Sequence, residues 1–252
     1  MIKGSGRATT AAVWRELKRQ RNPDQAAILR RFFKTAPGDY GAGDEFWGLK
    51  VPQIRAILAQ FQVVPLAVAD DLLASTVHEA RFFALVALLG AYRQGGKSEK
   101  QAIYDFYLAR RQRVNNWDLV DVSAPGIVGR HLPVGGGRSV LARLAASPSL
   151  WSRRIAMVAT LDHIRRGHLA NTFWLAPRVL DDPEDLMHKA TGWMLREAGK
   201  RDEAALEAFL SCHAPRMPRT MLRYAIERLP PDRRRAWLAV PSLMKKTPRG
   251  TR

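Results

Sequence analysis

Trp117 and Asp121 are four residues apart in the stretch from Arg113 to Pro125. On a helix, that spacing places an indole and a carboxylate on the same face. Asn115 and Asn116 offer an N-cap, and Asp118 falls in the first turn, where a negative charge suits the helix dipole. Asp121 lies one turn deeper, among Leu119, Val120 and Val122, where Asp is a poor helix former. A positioned carboxylate stabilises positive charge, and an aromatic face favours cations. The pair is the candidate active site.

Two more helices carry candidate side chains. In a helix predicted over 149–166, Ser149 is the N-cap and Trp151, Ile155, Val158 and Leu161 form the apolar face. At about 100° per residue, Arg154 projects with Val158 and Leu161, while Arg153 points nearly opposite. Arg153 therefore reads as a solvated charge. Arg154 borders the buried face, where a guanidinium either pairs with an internal carboxylate or grips a phosphate. A helix predicted over 182–199 starts at Asp182 as N-cap, with Pro183 at its first position and Gly199 as a C-cap. Trp193 shares a face with Leu186 and Ala190, which by itself suggests a core tryptophan. Gly192 costs about 1 kcal/mol in a helix interior and points to close approach by another backbone or a ligand.

Other chemistries find little support. None of the six histidines has metal-ligand spacing. Gly135 to Gly137 form a loop without the strand and helix of a phosphate-binding fingerprint, and Gly126 and Gly129 lie in a helical stretch that they allow to pack closely. Asp39, Asp44 and Glu45 could pair with local arginines. Cys212 is the only cysteine, so no intramolecular disulfide or Cys-rich metal site can form. It reads as a small buried side chain near a helix end.

The charge balance indicates the partner. There are 41 Lys and Arg against 23 Asp and Glu, a net charge of +18 over 252 residues. A polyanion fits this excess, nucleic acid ahead of a membrane surface, although an Arg-favouring composition also accounts for it. Hydrophobic residues make up 46%, enough for a sizeable core. No apolar leader or membrane-length run occurs, so a cytoplasmic protein is expected.

These side chains require a helical framework. Helices are expected from Thr9 or Thr10, from Pro23 to Phe33 and, after an ordered loop rich in glycine and aromatics (37–52), from Gln53 to Phe61. Segments beginning at His78, Asn115, Trp151, Met187 and Arg223 then recur about 36 residues apart, the interval of two-helix repeats. Partner helices are expected at 65–74, 98–110, 138–146, 169–180 and 202–212. The resulting expectation is an all-α, HEAT-like solenoid with a curved, concave basic face, forming one domain over 1–244. Residues 1–7 read as a loose leader. Residues 245–252 read as a disordered basic tail, either merely solvated or adding phosphate attraction.

At this point the chain resembles the AlkD-like DNA alkylation repair enzymes, HEAT-like-repeat DNA glycosylases. The resemblance spans roughly residues 25–230 and rests on five blocks: Phe46 to Arg55, His78 to Arg81, Asn116 to Asp121, Trp151 to Arg154 and Lys189 to Glu197. No family motif matches before about residue 22 or in the basic tail. The last three blocks coincide with the family's catalytic cleft. The resemblance implies that Asp121 is the catalytic carboxylate, that Trp117 and Trp193 flank the lesion, and that Arg154 lies near the DNA backbone. For Trp193 this replaces the core reading. It further implies hydrolysis of the N-glycosidic bond of cationic N3- and N7-alkylpurines in double-stranded DNA, without base flipping. A monomer with no metal, no cofactor and no membrane contact is expected. The alternative is a non-catalytic HEAT-repeat protein binding unusual DNA structures, which has no need of a carboxylate at Asp121.

Overall fold

The computed structural model describes residues 6–243. Among them it contains fourteen α-helices and no strand, only the isolated bridges Arg7–Val63 and Glu45–Val77. The chain divides into two compact units, the first ending at His131 and the second beginning at Leu132. The expected basic tail, and the leader up to residue 5, lie outside the described residues. Gly6 to Ala8 are not loose. Gln62 N donates to Gly6 O at 3.1 Å and Ala8 N to Val63 O at 2.8 Å, so the chain enters along residues 62–63.

The first unit contains α1 (Thr10–Arg19), α2 (Pro23–Phe32), α3 (Val51–Leu58), α4 (Leu66–Leu73), α5 (His78–Gln94), α6 (Lys97–Arg110) and α7 (Trp117–Ala124). Its starts are written in the sequence. Thr9 and Asn22 cap α1 and α2 through side-chain oxygens, and Pro23 opens α2. Helix α5 is the centre, packed on α3, α4, α6 and α7. It is buried from His78 through Leu89, as expected of a helix that is apolar nearly all round. Each of Phe82, Phe83, Leu85 and Leu88 contributes about 1.5–3 kcal/mol on removal from water.

The second unit contains α8 (Arg138–Ala145), α9 (Leu150–Arg165), α10 (Ala170–Leu175), α11 (Asp185–Gly199), α12 (Glu203–His213), α13 (Arg219–Ala225) and α14 (Pro231–Ala239). Helix α11 packs on α9, α12 and α13. Gly192 makes the α13 contact possible, because a Cβ there would sit 2.5 Å from Met221 O and from Tyr224 Cβ. The close approach inferred from that glycine is a helix backbone.

Three expectations need correction here. Helix α11 starts at Asp185, not Asp182, because Asp182 serves as a turn: its Oδ1 accepts from Glu184 N at 3.0 Å and its carboxylate pairs with Arg153. Gly199 is the last helical residue and not a left-handed cap. Its missing Cβ makes room for Leu206, whose Cδ2 would lie 2.4 Å away. Cys212 is exposed, since α12 buries Leu206, Phe209 and Leu210 on its other side.

Candidate active site

In the first unit, α7 begins where the sequence indicated. Asn116, fully buried, is the N-cap, and its side chain accepts from Trp117 N at 2.8 Å. Asp118 does more than meet the helix dipole. Its Oδ1 accepts from Leu119 N at 2.8 Å, and its Oδ2 accepts from His78 Nε2 at 2.8 Å. The other His78 nitrogen, Nδ1, is 3.5 Å from Asp44 Oδ2, an oxygen that also lies 2.7 Å from Arg81 Nη2 and 3.4 Å from Asn116 Nδ2. A chain of buried charges therefore links α5, the loop before α3 and the start of α7.

Burial alone would lower the His78 pKa, but the Asp118 and Asp44 carboxylates outweigh it and raise it to about 8. Burial pushes Asp44 upward, yet the hydrogen bond from His78 and the Arg81 charge hold its carboxyl below the ordinary value. Neighbouring Glu79 has a different task. It accepts backbone N–H bonds from Trp47, Gly48 and Leu49 at 2.7–3.2 Å, pinning the aromatic loop against α5.

Trp117 is half-buried. Its ring stacks on Phe33 at 5.3 Å and meets Phe32 edge-on at 5.8 Å. Phe33 stacks in turn on Phe46, and Phe46 on His78 at 4.6 Å. An almost wholly apolar cavity of about 410 Å³ opens beside this stack, with Phe32, Phe33, Phe46, Ile54 and Trp117 in its wall. Asp121 is half-buried one turn along α7. It is close enough to Tyr107 that its charge adds to the effect of burial in raising the phenol's pKa. Below it, Tyr107 Oη and Ser123 Oγ are 2.9 Å apart, and Ser123 donates to Leu119 O at 2.5 Å. Beyond Ala124, Pro125 lacks an N–H, and the helix widens into a π turn through Gly129. Gly126 permits this with Leu89 against it, the close packing expected there.

In the second unit, Arg153 is not solvated. Its Nε lies 2.6 Å from Asp182 Oδ2, and it donates to the carbonyls of Ser147 and Pro148. Helical projection missed this because Asp182 reaches back from outside the helix. Arg154 is buried, and its Nη1 donates to Leu186 O at 2.5 Å, tying α9 to α11. Trp193 is only half-buried, not core. It lines an open cavity of about 430 Å³ with Arg165, Lys200 and Arg201. Trp117 and Asp121 are thus together on one helix of the first unit, and Arg154 and Trp193 sit on two packed helices of the second.

Sequence reading overlooked His78 and Asp44 as the support of α7. The available signal was a run from Ala80 to Leu89 that is apolar apart from Arg81 and preceded directly by His78 and Glu79. Ionisable groups at the head of a fully buried helix require partners.

The family model for DNA alkylation repair enzymes matches residues 13–229. The chain belongs to that family and so has a role, as an enzyme, in DNA alkylation repair. A solved structure described as a predicted DNA alkylation repair enzyme from Enterococcus faecalis is similar in fold, with a TM-score of 0.64 and 18% identity. The match covers 83% of this chain and 97% of that one. A search of curated protein sequences gave no significant match. No helix among the described residues is long and apolar enough to cross a membrane.

Proposed function

We propose that the protein is a DNA glycosylase that hydrolyses the N-glycosidic bond of cationic N3- and N7-alkylated purines, such as 3-methyladenine and 7-methylguanine, in duplex DNA. The observation that carries this reading is the division of labour on α7. Asp118 is committed to His78, whereas Asp121, one turn on, is half-buried on the helix that holds Trp117. Alkylation has already made the base a cationic leaving group, so no general acid is needed. As the C1′–N bond breaks, its electron pair goes to the base and positive charge builds on the deoxyribose. The Asp121 carboxylate stabilises that charge and positions the water that adds to C1′, after which the water's proton is released. The aromatic faces of Trp117 and Trp193 favour the cationic base and the polarised C–H groups of the sugar. Arg154 acts near the DNA backbone, and the lesion remains in the duplex, unlike the extruded base of most glycosylases.

The test is release of free base from N-methylated duplex DNA. The proposal expects 3-methyladenine or 7-methylguanine to appear in proportion to protein and time. Salt-sensitive DNA binding with no released base would instead favour the non-catalytic binding module.

A further inference from the structure

We propose that His78 is a positioning residue for the reaction at Asp121: its protonated ring holds the start of α7 through Asp118 and backs Trp117 through the aromatic stack, so that base release depends on its proton. The inference deepens the proposed function and rests on Asp121 acting in base release.

Two routes lead from His78 to the reactive pair. One is polar. Its Nε2 lies 2.8 Å from Asp118 Oδ2, in the first turn of α7. The other is aromatic. The His78 ring lies 4.6 Å from Phe46 and 4.9 Å from Phe33, and Phe33 stacks on Trp117 at 5.3 Å. Both routes are anchored at the head of buried helix α5.

Stability alone gives no reason for an ionisable ring here. Apolar side chains of similar size commonly match or better a buried ion pair, and Phe33, Phe46 and Phe82 already line this site. An apolar ring cannot fix Asp118. Asp118 and Asp121 are neighbours on the surface of one helix, where like charges repel. An unpaired Asp118 would also compete with Asp121 for a cationic base. Pairing with His78 removes both effects and leaves the charge of Asp121 to act on the substrate.

The proton on His78 has defined neighbours. Asp118 faces it from α7 and Asp44 from the loop before α3. Arg81 lies along α5, and exposed Lys50 lines the same cavity from the start of α3. Glu79 is occupied by the N–H groups of Trp47, Gly48 and Leu49. Burial opposes the charge on His78, but the two carboxylates hold its pKa at about 8. Below that value His78 and Arg81 balance Asp44 and Asp118. Above it one buried cation serves both carboxylates, and the hold on Asp118 weakens to that of a neutral N–H.

The experiment follows single-turnover release of 3-methyladenine from duplex DNA between pH 6 and pH 9 for wild type, His78→Gln and His78→Phe. Duplex affinity and the folded fraction are measured at each pH. Glutamine keeps an N–H for Asp118 without the charge, and phenylalanine keeps a ring in the stack without the bond. Ionisation of the base is common to all three and cancels in the ratio of rates. A misplacement of roughly 1 Å costs up to about 100-fold in rate. His78→Phe is expected to show a loss of that order per folded molecule at pH 6, with duplex affinity unchanged, and His78→Gln to recover part of it. The wild-type advantage over His78→Gln should shrink as pH rises through 8. Rates in both variants within a few-fold of wild type, a loss no larger than the unfolded fraction explains, or an advantage independent of pH would overturn the inference. Should His78→Phe not fold, His78→Gln and the wild-type pH profile decide. The NMR signal of the Trp117 indole N–H, assigned by its absence in Trp117→Phe, separates this inference from the glycosylase reading. No base release by wild type, with that signal following a titration near pH 8 that His78→Gln abolishes, would refute the glycosylase and leave the hold of His78 on Trp117 standing. Release with no such dependence in rate or signal would do the reverse.

Discussion

Around α7 the charges are buried and paired, whereas around the end of α11 they are exposed and several stand alone. His78, Asp44 and Arg81 are almost fully withdrawn from water, and with Asp118 the two cations and two carboxylates neutralise one another. Arg165 and Arg201 lie in solvent at the rim of an open groove. Chemistry that stabilises a developing charge needs a carboxylate whose place is fixed before reaction, and a buried network supplies that rigidity. Capture of a polyanion needs charge that a ligand can reach, and this requires little rigidity. The first region should therefore govern stability and rate, and the second affinity and its dependence on salt.

The largest effect on stability should follow from breaking the buried network. Arg81→Met leaves the Asp44 carboxylate in a dry site with His78 as its remaining cationic partner and only a 3.4 Å contact from Asn116 besides. Loss of one partner from a buried pair costs about 3–5 kcal/mol, measurable by denaturant unfolding. A loss below about 1 kcal/mol would mean that the network is not what holds α7. The pH dependence is the next effect. The folded pKa of His78, about 8, lies above its ordinary value of 6.5, so its contribution is fully present below pH 6.5. It is lost as pH rises through 8, a difference of up to about 2 kcal/mol. Unfolding at pH 6 and pH 9 should show this fall in wild type but not in His78→Gln. The smallest effect belongs to the other region. Lys200→Gln removes an exposed ion pair with Glu197 and should change stability by about 0–1 kcal/mol. The same substitution should weaken duplex binding severalfold at low salt. A large stability loss would show that Lys200 is structural and blur the contrast between the regions.

Local signals account for what was legible in the sequence. Thr9, Asn116 and Ser149 all cap helices, and the partner helices fall within a few residues of their expected places. Gly192 and Gly126 both announced close packing. What escaped depends on contacts distant in the chain. Asp44 and His78 are 34 residues apart, and Arg153 and Asp182 are 29 apart. No periodicity encodes such pairings, so Arg153 read as solvated and Asp182 as a cap. Trp193 shows the limit of helical projection. It lies on the same stripe as Ala190, yet α11 buries Met194 and Leu195 more deeply and leaves the indole at the rim.

Single-turnover release of 7-methylguanine from duplex DNA, comparing wild type with Asp121→Asn, tests the central claim most directly. Asparagine keeps the size and helix position of the side chain and removes its charge. The account predicts a rate lower by about 100- to 1000-fold, the range for losing a principal electrostatic group, with duplex affinity and unfolding midpoint unchanged. Release within a few-fold of wild type would contradict it and remove Asp121 from the chemistry.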